Sequence, residues 1–205
     1  MGRAKSQGAV IMQDKPFRYQ HTIDSSLLLS FLQETSYHSF SKVERESVYW
    51  IGLLRKNPAE FGTRFIRPFL DQFPEMQGPA SRSLEKELRA AIPLFVLLPA
   101  VSLKKAAEIQ ADYLSSARQF SHSGPKGKTF KQRMEDAGVK DCAGENLFEG
   151  KADPLVALIL LLIDQGVEGY GHRKALLNPA FTRVGLGVLD EGNGTMIMVQ
   201  VFSCE

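Results

Sequence analysis

Apolar residues recur at helical spacing over most of this chain and give way near the C-terminus to two short runs that read as strands. The firmest helix begins at Ser102 and runs to about Gln119, with Leu103, Ala106, Ala107, Ala111, Leu114 and Ala117 marking its buried face. Ser41-Lys42-Val43-Glu44 reads as a capping box that opens an earlier helix, whose Val43, Val48, Ile51 and Leu54 share a side. Asn57-Pro58-Ala59-Glu60 opens the next, with Phe61, Phe65, Phe69 and Leu70 as its core. Pro68 and Pro74 are expected to interrupt that region, and Gly78-Pro79-Ala80-Ser81 to form a loop before a short helix from Ser83 to Ile92. The connector from Pro93 to Pro99 is apolar and expected in the core. Thr129-Phe130-Lys131-Gln132 is another capping box, closed by Gly138.

Asp153-Pro154 opens a helix that is apolar on all sides and ends at Asp164 or Gln165, so neighbours must cover it completely. Val184 to Leu189 and Met196 to Phe202 flank Asp190-Glu191-Gly192-Asn193-Gly194, a hairpin signal. Helices that precede and interleave with such a sheet define an α+β protein. Residues 1–40 carry no sustained period and read as an N-terminal arm with a short helix near Ser25 to Gln33, ahead of a domain at 41–205.

Composition narrows the function class. With 205 residues, 43% hydrophobic and 23% charged, the chain can bury one ordinary core. A net charge of +2 spread along the sequence argues against nucleic acid as a partner. The longest apolar run, Leu155 to Ile163, is nine residues. A membrane span needs about 20, so no transmembrane segment is expected. The start of the chain shows no signal peptide. The two cysteines, Cys142 and Cys204, are either separate buried thiols or one bridge.

The candidate chemistry lies in two imidazoles and two carboxylates at loop-like positions or helix ends: His122, Glu145, Asp164 and His172. Asp164 stands out because an acid closing a wholly apolar helix is held near the core; its plainer role is a helix-end hydrogen bond. His21 and His38 read as solvated, and Tyr49 and Trp50 as packing. The absence of a Gly-x-Ser-x-Gly elbow argues against a serine hydrolase, and no cysteine-protease signature surrounds Cys142. Gly185 and Gly187 alternate within a strand with no phosphate-loop pattern, so a nucleotide site is unsupported.

Taken in order, five blocks resemble the CAP superfamily, the cysteine-rich secretory, antigen 5 and pathogenesis-related 1 proteins, in its bacterial (SCP-like) branch. They are Ser121-His122-Ser123; Gly144-Glu145-Asn146; Leu162-Ile163-Asp164-Gln165-Gly166-Val167; the stretch from Gly171-His172-Arg173 to Asn178-Pro179; and Val184-Gly185-Leu186-Gly187. The resemblance implies an α-β-α sandwich with a central antiparallel sheet and a cleft holding His122, Glu145, Asp164 and His172. Asp164 stands where many relatives carry Glu, and the apolar helix lacks the Trp common there. The resemblance also implies a secreted or cell-envelope protein, a setting in which a Cys142–Cys204 bridge is reasonable.

Three functions follow as alternatives. One is a binding module whose cleft takes a small-molecule, lipid, glycan or protein ligand, with a divalent metal such as zinc at His122 and His172 as an option. Another is a hydrolase of peptide or cell-wall substrate, with Glu145 as base on a water. The third is a structural domain with an empty cleft.

Overall fold

Side chains that satisfy free amides set most of the helix starts. The computed structural model describes residues 16–140, 142–192 and 194–205; the first fifteen residues of the expected arm and Asn193 of the hairpin lie outside them. Helix α1 (Ser25–Leu32) is capped by the Asp24 carboxylate. In α2 (Lys42–Lys56) the expected box is complete: Ser41 Oγ accepts the Glu44 N–H, and the Glu44 carboxylate accepts the Ser41 N–H. Asn57 caps α3 (Pro58–Phe61) with its side chain alone: Oδ1 accepts the Glu60 N–H, and Nδ2 donates to the Glu60 carboxylate.

Pro68 does not break the rod that follows. Between α3 and α4 (Arg67–Gln72) the backbone widens into one π turn, Gly62–Ile66, closed by the Arg67 N–H on the Gly62 carbonyl. A widened turn accommodates a proline that cannot donate and would crowd the carbonyl before it. The expected loop at 78–81 is instead the start of α5 (Pro79–Ala90), with Pro79 in its first turn and Ser81 Oγ accepting the Gly78 N–H.

The connector after α5 runs along the margin of the core rather than through it. Leu97 and Pro99 are buried, but Ile92 and Phe95 are 75% and 85% exposed. Arg55, fully buried, explains the path: it takes the Phe95 carbonyl on Nε and the carbonyls of Leu176, Asn178 and Phe181 on its terminal nitrogens. Anchored by that carbonyl, the connector turns the Phe95 ring outward. Burial pulls the Arg55 pKa down to about 10, still far above neutral.

Strand β1 (Leu98–Pro99) leads into α6 (Val101–Ala117). Five of the six residues expected on its inner face are buried; Ala117, in the last turn, is exposed. Helix α7 (Phe130–Asp136) opens on the Thr129 capping box, and Gly138 follows it in the left-handed region at φ +83°. Then come β2 (Ala143–Lys151), α8 (Pro154–Ile163), α9 (Gly171–Leu176), β3 (Arg183–Gly192) and β4 (Thr195–Ser203). The strands form one sheet in the order β1-β3-β4-β2, antiparallel except for the β1–β3 pair, with β2 at an edge.

Alternation along the strands divides the sheet's two faces. Leu147, Ile197, Val199 and Val201 pack on α6 and α7 with Leu103, Ala107 and Met134. Phe148, Met198, Val184 and Leu186 face the larger core, which holds α2 and all of Leu155 to Ile163 of α8. The result is the expected α-β-α sandwich. Gly185 and Gly187 let α6 lie directly on β3: a Cβ at Gly185 would sit 2.1 Å from the Leu103 carbonyl carbon, and one at Gly187 would sit 2.4 Å from that of Ala107. Residues 16–40 belong to the same core, through Phe17, Leu27, Phe31, Tyr37 and Phe40.

His21 is not solvated, contrary to the expectation. Its ring packs on Tyr49, Trp50 and Phe65, and Nε2 lies 2.6 Å from the Tyr49 hydroxyl. Burial first, and the Arg64 charge second, lower its pKa. His38 is exposed, as expected.

Cys142 and Cys204 are bridged, with Cα atoms 5.5 Å apart, where the ends of β2 and β4 meet. They are separated by 62 positions in sequence. Replacing both by serine is expected to cost roughly 4 kcal/mol in the chain-entropy account. Urea denaturation in oxidising buffer checks this, and an unchanged midpoint would count against it. The histidine gives a second expectation. A lowered folded pKa means that the unfolded chain binds the proton first, so stability is whole above about 6.5, the ordinary histidine value, and declines as pH falls below it. Denaturation at pH 7.5 and 5.5 should show a smaller decline for His21→Phe than for the parent; equal declines would refute the assignment.

Candidate functional site

The loop carrying His122 is built from its carbonyls. Helix α6 ends with Arg118 in the left-handed region at φ +49°, and the chain turns back beneath the sheet edge. Gln110, buried on α6, donates Nε2 to the carbonyls of both Ser121 and Ser123 at 3.0 Å. Arg133 of α7 donates Nη2 to the carbonyl between them, that of His122, at 3.1 Å. Gly124 is required here because a Cβ would meet Arg133 Cδ at 2.4 Å.

The same Arg133 nitrogen reaches the Glu145 carboxylate, at 2.8 and 2.7 Å from its two oxygens. His122 Nδ1 lies 2.8 Å from Glu145 Oε1. The carboxylate side chain is 1% exposed and the arginine 5%, whereas the imidazole is 58% exposed. An ionised carboxylate only accepts, so Nδ1 carries the hydrogen and a neutral His122 presents Nε2 as an acceptor. Breaking such a pair from one side leaves a charge buried without its partner, which costs far more than the intact pair contributes.

The second pair is built on a helix end. The apolar helix α8 stops because Asp164 enters the left-handed region at φ +55°. Its Oδ2 accepts the backbone N–H of His172 at 2.9 Å and that of Arg173 at 3.4 Å, both free donors in the first turn of α9. Its Oδ1 accepts the His172 ring Nδ1 at 2.6 Å. Both groups are enclosed, the acid 1% and the imidazole 15% exposed. His172 lines a recess of about 20 Å³ with Met76, Phe148, Leu160, Leu161 and Val167, room for about one water molecule.

Arg173 fixes this arrangement. It is buried, and takes the carbonyls of Leu162 and Ile163, the last two of α8, together with Ala80 O and Ser83 Oγ on α5. An ion pair to Glu87 at 3.1 Å completes its set, and its guanidinium lies 4.2 Å from the Tyr170 ring centre.

All four expected residues are thus placed in two histidine–carboxylate pairs. Glu145 is not in a loop, as its Gly-Glu-Asn context suggested, but within edge strand β2, opposite Val201. Its neighbour Asn146 points to the other face, where Nδ2 donates to Gln200 Oε1 and to the His172 carbonyl. The two pairs therefore approach one strand from opposite faces. Among the described residues no group of three or more His, Cys, Asp or Glu side chains is placed to hold a metal ion. Sequence reasoning missed Arg133, Gln110 and the role of Arg173. Gln110 left a signal, a polar residue on the alanine-rich face of α6; Arg133 left none.

A sandwich of this form, with paired histidines and acids about an edge strand, defines a class, and the comparisons give it a family. The sequence model described as "CAP: Cysteine-rich secretory protein family" matches residues 87–205, more than half of the chain. The chain belongs to that family. All four site residues lie in the matched stretch, and α1 to α4 lie before it. An uncharacterized protein of Bacillus subtilis (strain 168), YkwD, is 28% identical over 93 residues, 45% of this chain and 34% of that protein. The chain therefore spans about a third of that relative's length. Among solved structures, an extracellular protein containing a SCP domain from Bacillus anthracis str. Ames is 21% identical at a TM-score of 0.46, covering 74% of this chain and 42% of that one. An outer surface protein from Borrelia burgdorferi matches at the same identity and TM-score over 66% of this chain and 90% of its own. The CAP domain of Enterococcal PrgA covers 97% of this chain and 86% of its own at 15% identity and a TM-score of 0.38.

Arg133→Met should destabilise the protein by about 3–5 kcal/mol, because Glu145 is left buried without its strong partner. Arg133→Met combined with Glu145→Gln should regain a substantial part. Urea denaturation of the four members of this cycle checks it, and additive losses would rule out the coupling.

Proposed function

We propose that this CAP protein is an extracellular or cell-envelope binding domain, with His172 as the group that meets the ligand. The observation that carries the reading is the fixing of His172: one carboxylate holds its ring and its backbone together, and apolar side chains line the recess beside it. With Nδ1–H committed to Asp164, Nε2 of the neutral ring is an acceptor of one fixed direction. A fixed acceptor beside a recess with room for about one water molecule suits a ligand that offers a single N–H or O–H there and keeps its body outside the recess. The Cys142–Cys204 bridge supports an oxidising compartment.

The reading does not require a metal. Each carboxylate orients its histidine through Nδ1, so Nε2 of His122 and Nε2 of His172 are the nitrogens that would hold a divalent metal, and among the described residues no group of three or more His, Cys, Asp or Glu closes a cation site around them.

A hydrolase is the second reading, and the Asp164–His172 dyad favours it with a change of base. Glu145 is enclosed and both its oxygens are taken by Arg133, so it is poorly placed to accept a proton from a substrate water. His172, oriented by an acid on its far nitrogen, has the geometry of a general base.

The test is a nuclear magnetic resonance screen of short peptides, muropeptides and oligosaccharides against the labelled protein. Binders should shift the His172 ring, Phe148 and Val167 signals, and His172→Ala should abolish those shifts while the protein stays folded. Binders whose shifts map elsewhere and survive His172→Ala would defeat the reading. Turnover of a muropeptide or peptide, lost in Asp164→Asn, would favour the hydrolase.

A further inference from the structure

On the sheet face away from His172, a groove of about 430 Å³ runs between the first half of α6 and the segment from Pro125 to Ala137. It is more than twenty times the size of the His172 recess and within the usual range of a small-ligand site, roughly 300–1,000 Å³. Its composition is lopsided in two ways. The walls offer the apolar surfaces of Ala106, Ile109, Pro125 and Ala137, with Ile109 left 48% exposed. The charged groups are four cations, Lys105, Lys126, Lys128 and Arg133, against one acid, Asp136.

Pairing sharpens the imbalance. Lys128 is neutralised by Asp136 and Arg133 by Glu145, whereas Lys105 and Lys126 make no ion pair among the described residues. Arg133 adds a second, independent sign. It is 5% exposed, lines the groove, and its Nε and Nη1 have no hydrogen-bond partner among the described residues. Donors buried without acceptors cost about 1–3 kcal/mol, and with both atoms closed to solvent an anion in the groove acts on them through its charge rather than by direct contact.

We propose that this groove binds an organic anion, one acidic group on an apolar body, with Lys105 and Lys126 taking the acid and Ala106, Ile109 and Pro125 the body. The site stands apart from the one around His172, and it touches the other histidine. Arg133 holds both Glu145 and the His122 carbonyl, so an anion that draws on this guanidinium changes the surroundings of His122.

The experiment uses two fluorescent probes that share an apolar body and differ in charge, 8-anilino-1-naphthalenesulfonate and uncharged N-phenyl-1-naphthylamine. The sulfonate should bind the folded protein one to one, at least tenfold tighter than the amine. Lys105→Glu with Lys126→Glu should weaken the sulfonate at least tenfold and leave the amine unchanged, while Ile109→Ser weakens both. All three side chains are exposed, and an unaltered melting temperature confirms that the variants fold. Sulfonate binding should move the His122 ring resonances and leave those of His172 in place. The proposal is overturned if the sulfonate fails to saturate, if the amine binds as tightly, or if charge reversal changes nothing.

Discussion

The arrangement around His172 depends on one buried guanidinium. A helix leaves its last carbonyls without intrahelical donors, and α8 ends deep in the core where no solvent can serve them. Arg173 supplies donors to Leu162 and Ile163 and joins them to the start of α5. It follows His172 directly in sequence, so the group that closes α8 also fixes where the imidazole begins. Asp164 returns the contact by holding the first amides of α9. Two helix ends thus complete one another, and the histidine–carboxylate pair sits at their junction. A ring held this way needs no ligand to organise it.

The other pair follows a different logic. His122 is largely exposed on a loop, and what is rigid there is the carboxylate beneath it, enclosed with Arg133. The loop is held by its backbone, through Gln110 and Arg133, so the imidazole itself keeps more freedom than His172 has. One half of the site presents a fixed direction and the other a movable one. Edge strand β2 lies between them because adjacent residues of a strand face opposite ways, which gives Glu145 to one half and Asn146 to the other.

Much of this was legible in the sequence. Capping residues name the starts of α2, α3, α7 and α8, and the continuous apolar run of α8 states its complete burial, because those signals are local. The hairpin of β3 and β4 was equally plain. Strand β2 was not, since Ala143 to Lys151 mixes two acids and two glycines with its apolar residues and has no clean period. Phe95 misled for a physical reason: its carbonyl is fixed by Arg55 from a distant helix, and that contact rather than hydrophobicity decides which way the ring points. The four site residues were found through their motifs. Their division into two pairs was not, because it follows from the sheet register and from Arg133, whose position in α7 carries no local mark.

The contact between α6 and β3 bears on how such a protein can diverge. At Gly185 and Gly187 the helix rests on bare backbone, so its height above the sheet is set by peptide units rather than by side-chain volume. Core substitutions elsewhere usually shift neighbouring helices by small repacking movements. Here the helix has a hard floor, and the loop that continues from it inherits that floor. Lineages of this chain are therefore free to exchange residues along α6 without displacing His122, as long as these two positions remain without side chains and Gln110 keeps its hold on the loop carbonyls.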